Sequence, residues 1–257
     1  MQAAAFAWAA FAAPACKCTF GNCAKLSLPP SGSYLCVRDV SQDIPVVGSI
    51  LRDGLWEGHI VRPFYDEILQ HKHAIVLDVG AHIGQYTIVA AAAGARVVAF
   101  EANADNVQYI ESSLQVNKVN DRVTVINKPV SAEGGQRLQF PTSILPQDNV
   151  GGWGVQLSPT GSLVSTTIDA SLASLHLIGP YIMKIDIEGF EPQALLGAQH
   201  TLRHTRIIFM EWGDGGPEKR KMAQNLKRVG FVVNDNNCIR TNFKVCPWDV
   251  VWRRNNI

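Results

Sequence analysis

The chain has 257 residues, 47% of them hydrophobic and 18% charged, with a formal net charge of +1. That length suits one large α/β domain, or one domain plus an appendage, and the composition argues against wholesale disorder. The near-neutral charge provides no global basic field for nucleic acid, and no apolar run reaches the roughly 18–20 residues that a membrane-spanning helix needs.

Met1 to Ala15 carries no charge and is mostly Ala, Phe and Trp, and Ala13-Pro14-Ala15 resembles a small-x-small cleavage site. A secretory signal would explain this, although the positive n-region is missing; the other reading is a low-complexity end or a start inside a longer chain. Cys16, Cys18, Cys23 and Cys36 cluster near the start, and Cys238 and Cys246 lie near the end. An even number outside the central region fits disulfides pinning the termini, which would place the protein in the secretory pathway or outside the cell. A zinc site using Cys16, Cys18 and Cys23 stays open, as do free thiols in a cytoplasm.

Residues 17–60 are rich in Pro, Gly, Ser and Cys and show no sustained periodicity, so an irregular lead-in with a short hairpin is expected. Trp56 to Gln70 reads as helical in part; Pro63 stands where a helix could begin, with Phe64, Ile68 and Leu69 following at helical spacing. Regular alternation starts at Ala74. Ile75-Val76-Leu77 reads as a buried parallel strand ending at Asp78. An Ala-rich helix over Gln85–Ala93 stops at Gly94. Val97–Phe100 is the next strand, ending at Glu101. Asn103 caps a helix to about Asn117, with Val107, Ile110 and Leu114 on one face. Val123–Ile126 is a third strand.

Lys128 to Thr167 breaks the rhythm with many Gly and Pro residues and reads as a hairpin plus a mobile loop, the kind of insertion that often covers a site. Thr167–Leu175 reads as a short helix, with Asp169 helping to cap a short helix. Tyr181–Ile185 is a strand ending at Asp186, and a helix with Pro192 in its first turn runs through Arg203. Ile207–Met210 is a strand ending at Glu211. A helix over Lys219–Val229 precedes the last strands at Phe231–Val233 and Val250–Trp252. Repeated β-α-β units of these lengths predict a doubly wound α/β sheet.

In such sheets ligands sit outside the carboxyl ends of the strands, so Asp78, Glu101, Asp186 and Glu211 should converge on one crevice. The loop Asp78-Val79-Gly80-Ala81-His82-Ile83-Gly84 is not the dinucleotide fingerprint, because its spacing is D-x-G-x-x-x-G. A carboxylate there would repel a pyrophosphate and favour a ligand with an ammonium and a sulfonium, such as S-adenosylmethionine (SAM). Glu101, 23 residues after Asp78, stands where an acid accepts hydrogen bonds from ribose hydroxyls.

The stretches VLDVGAHIGQYTIVAAAAG, VVAFEANADN, TTIDASL, IMKIDIEGFEPQALLGA and IIFMEW, in that order and spacing, resemble the FkbM family of class I SAM-dependent methyltransferases. The resemblance covers about Ala74 to Trp212, and K-x-D-x-E-G-x-E at Lys184–Glu191 is its most specific part. It implies a Rossmann-like, mostly parallel seven-stranded sheet with the last strand antiparallel, in a domain over residues 61–257 behind the 16–60 lead-in. It also implies methyl transfer to a hydroxyl, commonly on a sugar, glycolipid or polyketide-type product. By the same resemblance Asp78, Gly80, Ala81, His82 and Gly84 would surround the methionine part of SAM. Glu101 would hold the ribose, while Ala102, Asn103 and Ser131 would lie near the adenine. Two positions depart from the family pattern: Ala102 stands where Pro is usual and His82 where Asn is usual.

Methyl transfer requires an aligned acceptor and removal of its proton. Asp186, ending the strand beside the cofactor, is the first candidate for base or acceptor-orienting group and would also touch the cofactor. Glu188 is the second and His82 the third. Asp186, Glu188 and Glu211 could together hold Mg²⁺. Trp153, between glycines, could stack on a sugar ring, close the site, or pin the loop to the body. An N- or carboxylate acceptor, a nicotinamide-dependent oxidoreductase and a non-catalytic binding protein are the alternatives to an O-methyltransferase.

Overall fold

The computed structural model describes residues 16–28, 32–141, 148–213, 216–233 and 249–254. The signal-like segment and the Cys238 and Cys246 pair lie outside them.

The lead-in holds short regular pieces joined by irregular connections. Strands β1 (Asn22–Lys25) and β2 (Tyr34–Val37) form the expected antiparallel hairpin. It is stapled by Cys16–Cys23 and Cys18–Cys36 disulfides, so the four N-terminal cysteines pair among themselves. Helix α1 (Ile44–Asp53) follows, with Pro45 in its first turn and Gly54 ending it in the left-handed conformation. Its buried Val46, Val47 and Ile50 lie at i, i+1 and i+4, a face too short for periodicity to reveal. Helix α2 (Gly58–Gln70) begins before Pro63 rather than at it. The proline removes the donor for the carbonyl of His59, and His59 is exposed, so water can take that bond.

The domain then alternates β3 (Ile75–Val79), α3 (Gln85–Ala92), β4 (Arg96–Phe100), α4 (Ala104–Asn117) and β5 (Val123–Ile126). Asn103 caps α4 by accepting from the Asp105 N–H. The face α4 buries includes Asn106, Tyr109, Ile110 and Ser113, displaced from Val107 because the hairpin covers it on one side. The segment after Lys128 is more regular than expected: β6 (Arg137–Gln139) pairs with β7 (Gln156–Leu157) and β8 (Leu163–Val164) in a small antiparallel sheet. Next come α5 (Ile168–Ser174) and β9 (Tyr181–Ile185). The helix expected through Arg203 is two helices, α6 (Glu191–Leu196) and α7 (Gln199–His204). At the break, the Gly197 carbonyl accepts from Asp169 N–H, and the Asp169 carboxylate caps α7 through the N–H groups of His200 and Thr201. Strand β10 (Thr205–Glu211), α8 (Pro217–Arg228), β11 (Phe231–Val233) and β12 (Asp249–Arg254) complete the chain.

The main sheet has seven strands in the order β11-β12-β10-β9-β3-β4-β5, parallel except for β12, which runs antiparallel to both neighbours. Successive strand residues divide between two cores, as the two-residue pleat requires. Val76, Val97, Ala99, Ile182 and Phe209 pack toward α2, α3 and α4. Leu77, Val98, Phe100, Met183 and Ile208 pack toward α5 to α8. The chain order reverses between β3 and its neighbours β4 and β9, which opens a crevice at their carboxyl ends. Among the described residues, no helix is long and apolar enough to cross a membrane.

Candidate active site

A cleft opens at that crevice. It is lined by Gly80 of the β3 loop, by Glu101, Ala102 and Asn103 after β4, by Lys128 to Val130, and by Phe140 and Trp153 of the insertion. A second cleft shares Gly80, His82, Gly151, Asp186 and Glu188 with it and continues to Trp56, Glu57 and Glu211. From there an open groove runs over His59, Arg62 and Asp249.

Glu101 is buried, and its carboxylate is held at both oxygens. Oε1 accepts from Asn103 N–H at 2.8 Å and Asn106 Nδ2 at 3.1 Å; Oε2 accepts from His82 N–H at 2.7 Å. Burial pushes its pKa up, and these donors pull only part of the way back. A buried, oriented acid beside apolar walls suits a ligand joining a ribose to an aromatic base.

Asp78 does not line either cleft. It has the parity of Val76 in β3, so its side chain turns under α3 and accepts from Thr87 Oγ1 at 2.5 Å. Lys184 stands directly across from it in register on β9. The buried ammonium also lies 2.6 Å from Asp186 Oδ2 and 4.8 Å from the centre of the Tyr86 ring. Burial alone would lower the Lys184 pKa, but Asp186, Asp78 and Glu57 more than offset it and hold the group charged. Gly84 packs against Ile110 rather than facing the cleft, and Ser131 is buried, bonded to Gln136. Lys128, Pro129 and Val130 line the cleft, and Ser131 does not.

Asp186, Glu188 and Glu211 form an acidic shelf. Burial raises the Asp186 pKa, but Lys184 and a hydrogen bond with Glu211 bring it below the ordinary carboxylate range. Glu211 is raised by burial and by Asp186, so it is the proton carrier of that pair. Glu188 is raised to about 7, by burial first and then by Asp186 and Glu191. Glu191 has a structural part: its Oε1 accepts from Ile187 and Gly189 N–H, and its Oε2 lies 3.1 Å from Lys219 Nζ. Among the described residues, three of the five non-glycine residues with positive φ, Glu57, His82 and Glu188, line the second cleft. Backbone strain of this kind persists only where surrounding structure enforces it, and it concentrates at functional sites.

The Mg²⁺ arrangement of Asp186, Glu188 and Glu211 does not form. Oxygens of Asp186 and Glu211 gather with Glu191 instead. Lys184 and Lys219 already neutralise Asp186 and Glu191, so this donor set does not fit a dication.

Sequence reasoning missed Asp43, Trp56, Glu57 and Asp249, and took Lys184 only as the start of the K-x-D-x-E-G-x-E stretch, without a role. Asp43 is fully buried at the start of α1, with Oδ2 2.9 Å from His82 Nε2. Glu57 and Asp249 face the groove with pKa values raised by burial and partly relieved by Lys184. Only Lys184 left a signal, as a lysine inside an otherwise apolar strand.

The model of the methyltransferase FkbM domain matches residues 78–233, more than half of the chain. The chain belongs to the FkbM methyltransferase family. It therefore carries a SAM-dependent methyltransferase domain, and the nicotinamide-dependent alternative gives way. Solved structures similar to this FkbM chain include an FkbM methyltransferase from Methylobacillus flagellatus KT, at 17% identity and a TM-score of 0.44. That match covers 71% of this chain and 44% of the other, so this chain spans less than half the length of that protein. An O-methyltransferase from Bacillus cereus in complex with SAH is 13% identical, with a TM-score of 0.44, covering 78% of this chain and 82% of the other. A precorrin-6y C5,15-methyltransferase from Geobacter metallireducens GS-15 is 10% identical, with a TM-score of 0.43, covering 77% and 88%. No curated protein matches.

Proposed function

We propose that this FkbM protein methylates a hydroxyl on a sugar, glycan or similar small acceptor, with Glu188 as the base. The observation that carries this reading is the place of Glu188, which lines both clefts where they join and stands beside Asp186; although the residue is exposed as a whole, its carboxyl is raised to about 7 by desolvation and by Asp186 and Glu191. A general base works best with a pKa near the working pH. A hydroxyl must lose its proton to become a good nucleophile, whereas a neutral amine already presents a lone pair. A carboxylate acceptor would meet the negative charge of Asp186, Glu57 and Asp249. The Trp56 ring and the polar groups of the groove suit a polyhydroxyl ring.

SAM, when bound, supplies a methyl group already activated by its sulfonium. Glu101 would accept from the ribose hydroxyls, with Ala102 and Asn103 next to the base. Phe140 and Trp153 would cover the cofactor and exclude water. The Gly80–His82 backbone and Asp186 would hold the methionine end. Asp186, kept ionised by Lys184, orients the acceptor, and Glu188 receives its proton. His82, tied to Asp43, serves the cofactor loop.

Calorimetric titration with SAM and S-adenosylhomocysteine tests the cofactor pose. Wild-type protein binds both, and Glu101→Ala weakens binding about tenfold or more through lost hydrogen bonds to a charged group. Equal binding by Glu101→Ala would remove the ribose role. Trp153→Ala should raise the KM for SAM by about 2- to 12-fold, the scale of one aromatic contact, and leave the acceptor KM alone. A change confined to the acceptor KM would move Trp153 to the acceptor side. Acceptor screening should begin with glycans.

A further inference from the structure

The family match starts at residue 78, yet the grip on Glu101 is set from the lead-in. Asn106 donates Nδ2 to Glu101 Oε1 and accepts from Arg38 Nη2 at its own Oδ1. The two ends of an asparagine amide have nearly the same shape, so bonding partners alone decide which end faces a carboxylate. Arg38 can only donate. Its presence at Oδ1 therefore fixes the amide with its N–H₂ toward Glu101.

Arg38 is well placed for that task. It follows β2 directly and is buried, with its guanidinium 5.1 Å from the centre of the Tyr109 ring on α4. Strand β2 is clamped along α4: Cys36 N–H donates to Ser113 Oγ, and Asn117 exchanges hydrogen bonds with the Tyr34 backbone. Cys36 is also tied to Cys18. Burying a guanidinium is costly, and an apolar side chain would fill the same space at lower cost. A second lead-in acid, Asp43, meets the cofactor loop at His82, whose N–H holds the other oxygen of Glu101.

We propose that Arg38 is a positioning residue for the cofactor acid, acting through Asn106. The disulfide-stapled lead-in is then part of the SAM site. This inference rests on the ribose reading of Glu101.

The test is S-adenosylhomocysteine affinity by calorimetry, with thermal unfolding of each protein, for wild type, Glu101→Ala, Arg38→Ala, Asn106→Ala and the Arg38→Ala/Asn106→Ala double variant. Arg38→Ala and Asn106→Ala should each weaken binding about tenfold, as expected for losing a charge-assisted contact, and leave the acceptor KM unchanged. The double variant should bind no more weakly than the weaker single one, because both act on one bond. A merely structural Arg38 would lower the unfolding temperature and leave affinity intact, which would overturn the proposal. So would effects that multiply in the double variant. Where Arg38→Ala does not fold, Arg38→Met fills the space without a donor, and wild-type affinity in that folded variant would overturn the proposal as well. If Glu101→Ala itself binds like wild type, the ribose reading fails first; if only the Arg38 variants do, this inference fails alone.

Discussion

Glu188→Gln should lower kcat by about 10²- to 10⁴-fold, the range lost when a general base is removed, while SAM still binds. The isosteric amide keeps the size and polarity of the side chain but cannot take a proton. The pH profile supplies the sharper evidence. Glu188 titrates at about 7, raised by burial and by the charges of Asp186 and Glu191, and pulled down by Lys184 and Lys219. Only the deprotonated form can act as a base. The wild-type rate should therefore rise with pH, bend near 7 and stay level above it. In Glu188→Gln the residual rate should lose that bend. Asp186→Asn should behave differently: it lowers the rate and, by removing a charge that raises Glu188, moves the bend to lower pH instead of abolishing it. A Glu188→Gln protein that keeps both kcat and the bend would end the assignment of the base to this residue.

The features legible in the sequence share one cause. Buried parallel strands are short apolar runs, and β3, β4, β9 and β10 each end at or beside an acid, so both the strands and the crevice at their ends could be read in advance. Glu101, Asp186 and Glu211 do reach the clefts. Asp78 does not, because its place in the pleat sends it to the α3 face, a matter of parity that a strand-end rule ignores. Ser131 stays out of the clefts for a related reason: one residue along the chain separates the lining Val130 from a buried hydroxyl. The contributions of Arg38, Asp43 and Glu57 were illegible. Arg38 is held by a disulfide-stapled hairpin packed on α4, and Asp43 and Glu57 sit at the starts of α1 and α2; such tertiary placement leaves no periodic trace in a sequence. The 128–167 insertion hid its small sheet because strands of two or three residues are too short to show alternation.

Gly80→Ala should damage the protein more than any other single methyl group added to this loop. At φ +84° the residue is in the left-handed region, and an added Cβ would stand 1.9 Å from the backbone oxygen of Asp186 and 2.8 Å from Ile187 Cγ2. The obstacle is backbone, which cannot swing aside as a flexible side chain can. Gly94 provides the control. It has φ +95° with nothing within 4 Å of its virtual Cβ, so Gly94→Ala carries the conformational cost alone. That cost is about 1–2 kcal/mol. A change of 1 kcal/mol shifts the Tm of a protein of this size by about 2–4 °C. Gly94→Ala should then lower Tm by a few degrees and leave turnover unchanged. Gly80→Ala should cost about 4 kcal/mol or more, the range of severe steric substitutions, and lower Tm by at least twice as much. What remains folded must have pushed the β3 loop away from the Asp186–Glu188 segment. Those two elements carry the two halves of the site, so SAM affinity and kcat should fall together. Thermal unfolding and kinetics of the two variants side by side decide the matter. Equal Tm values would mean that the loop yields easily, and that the close approach of Gly80 to Asp186 does not hold the two halves in register.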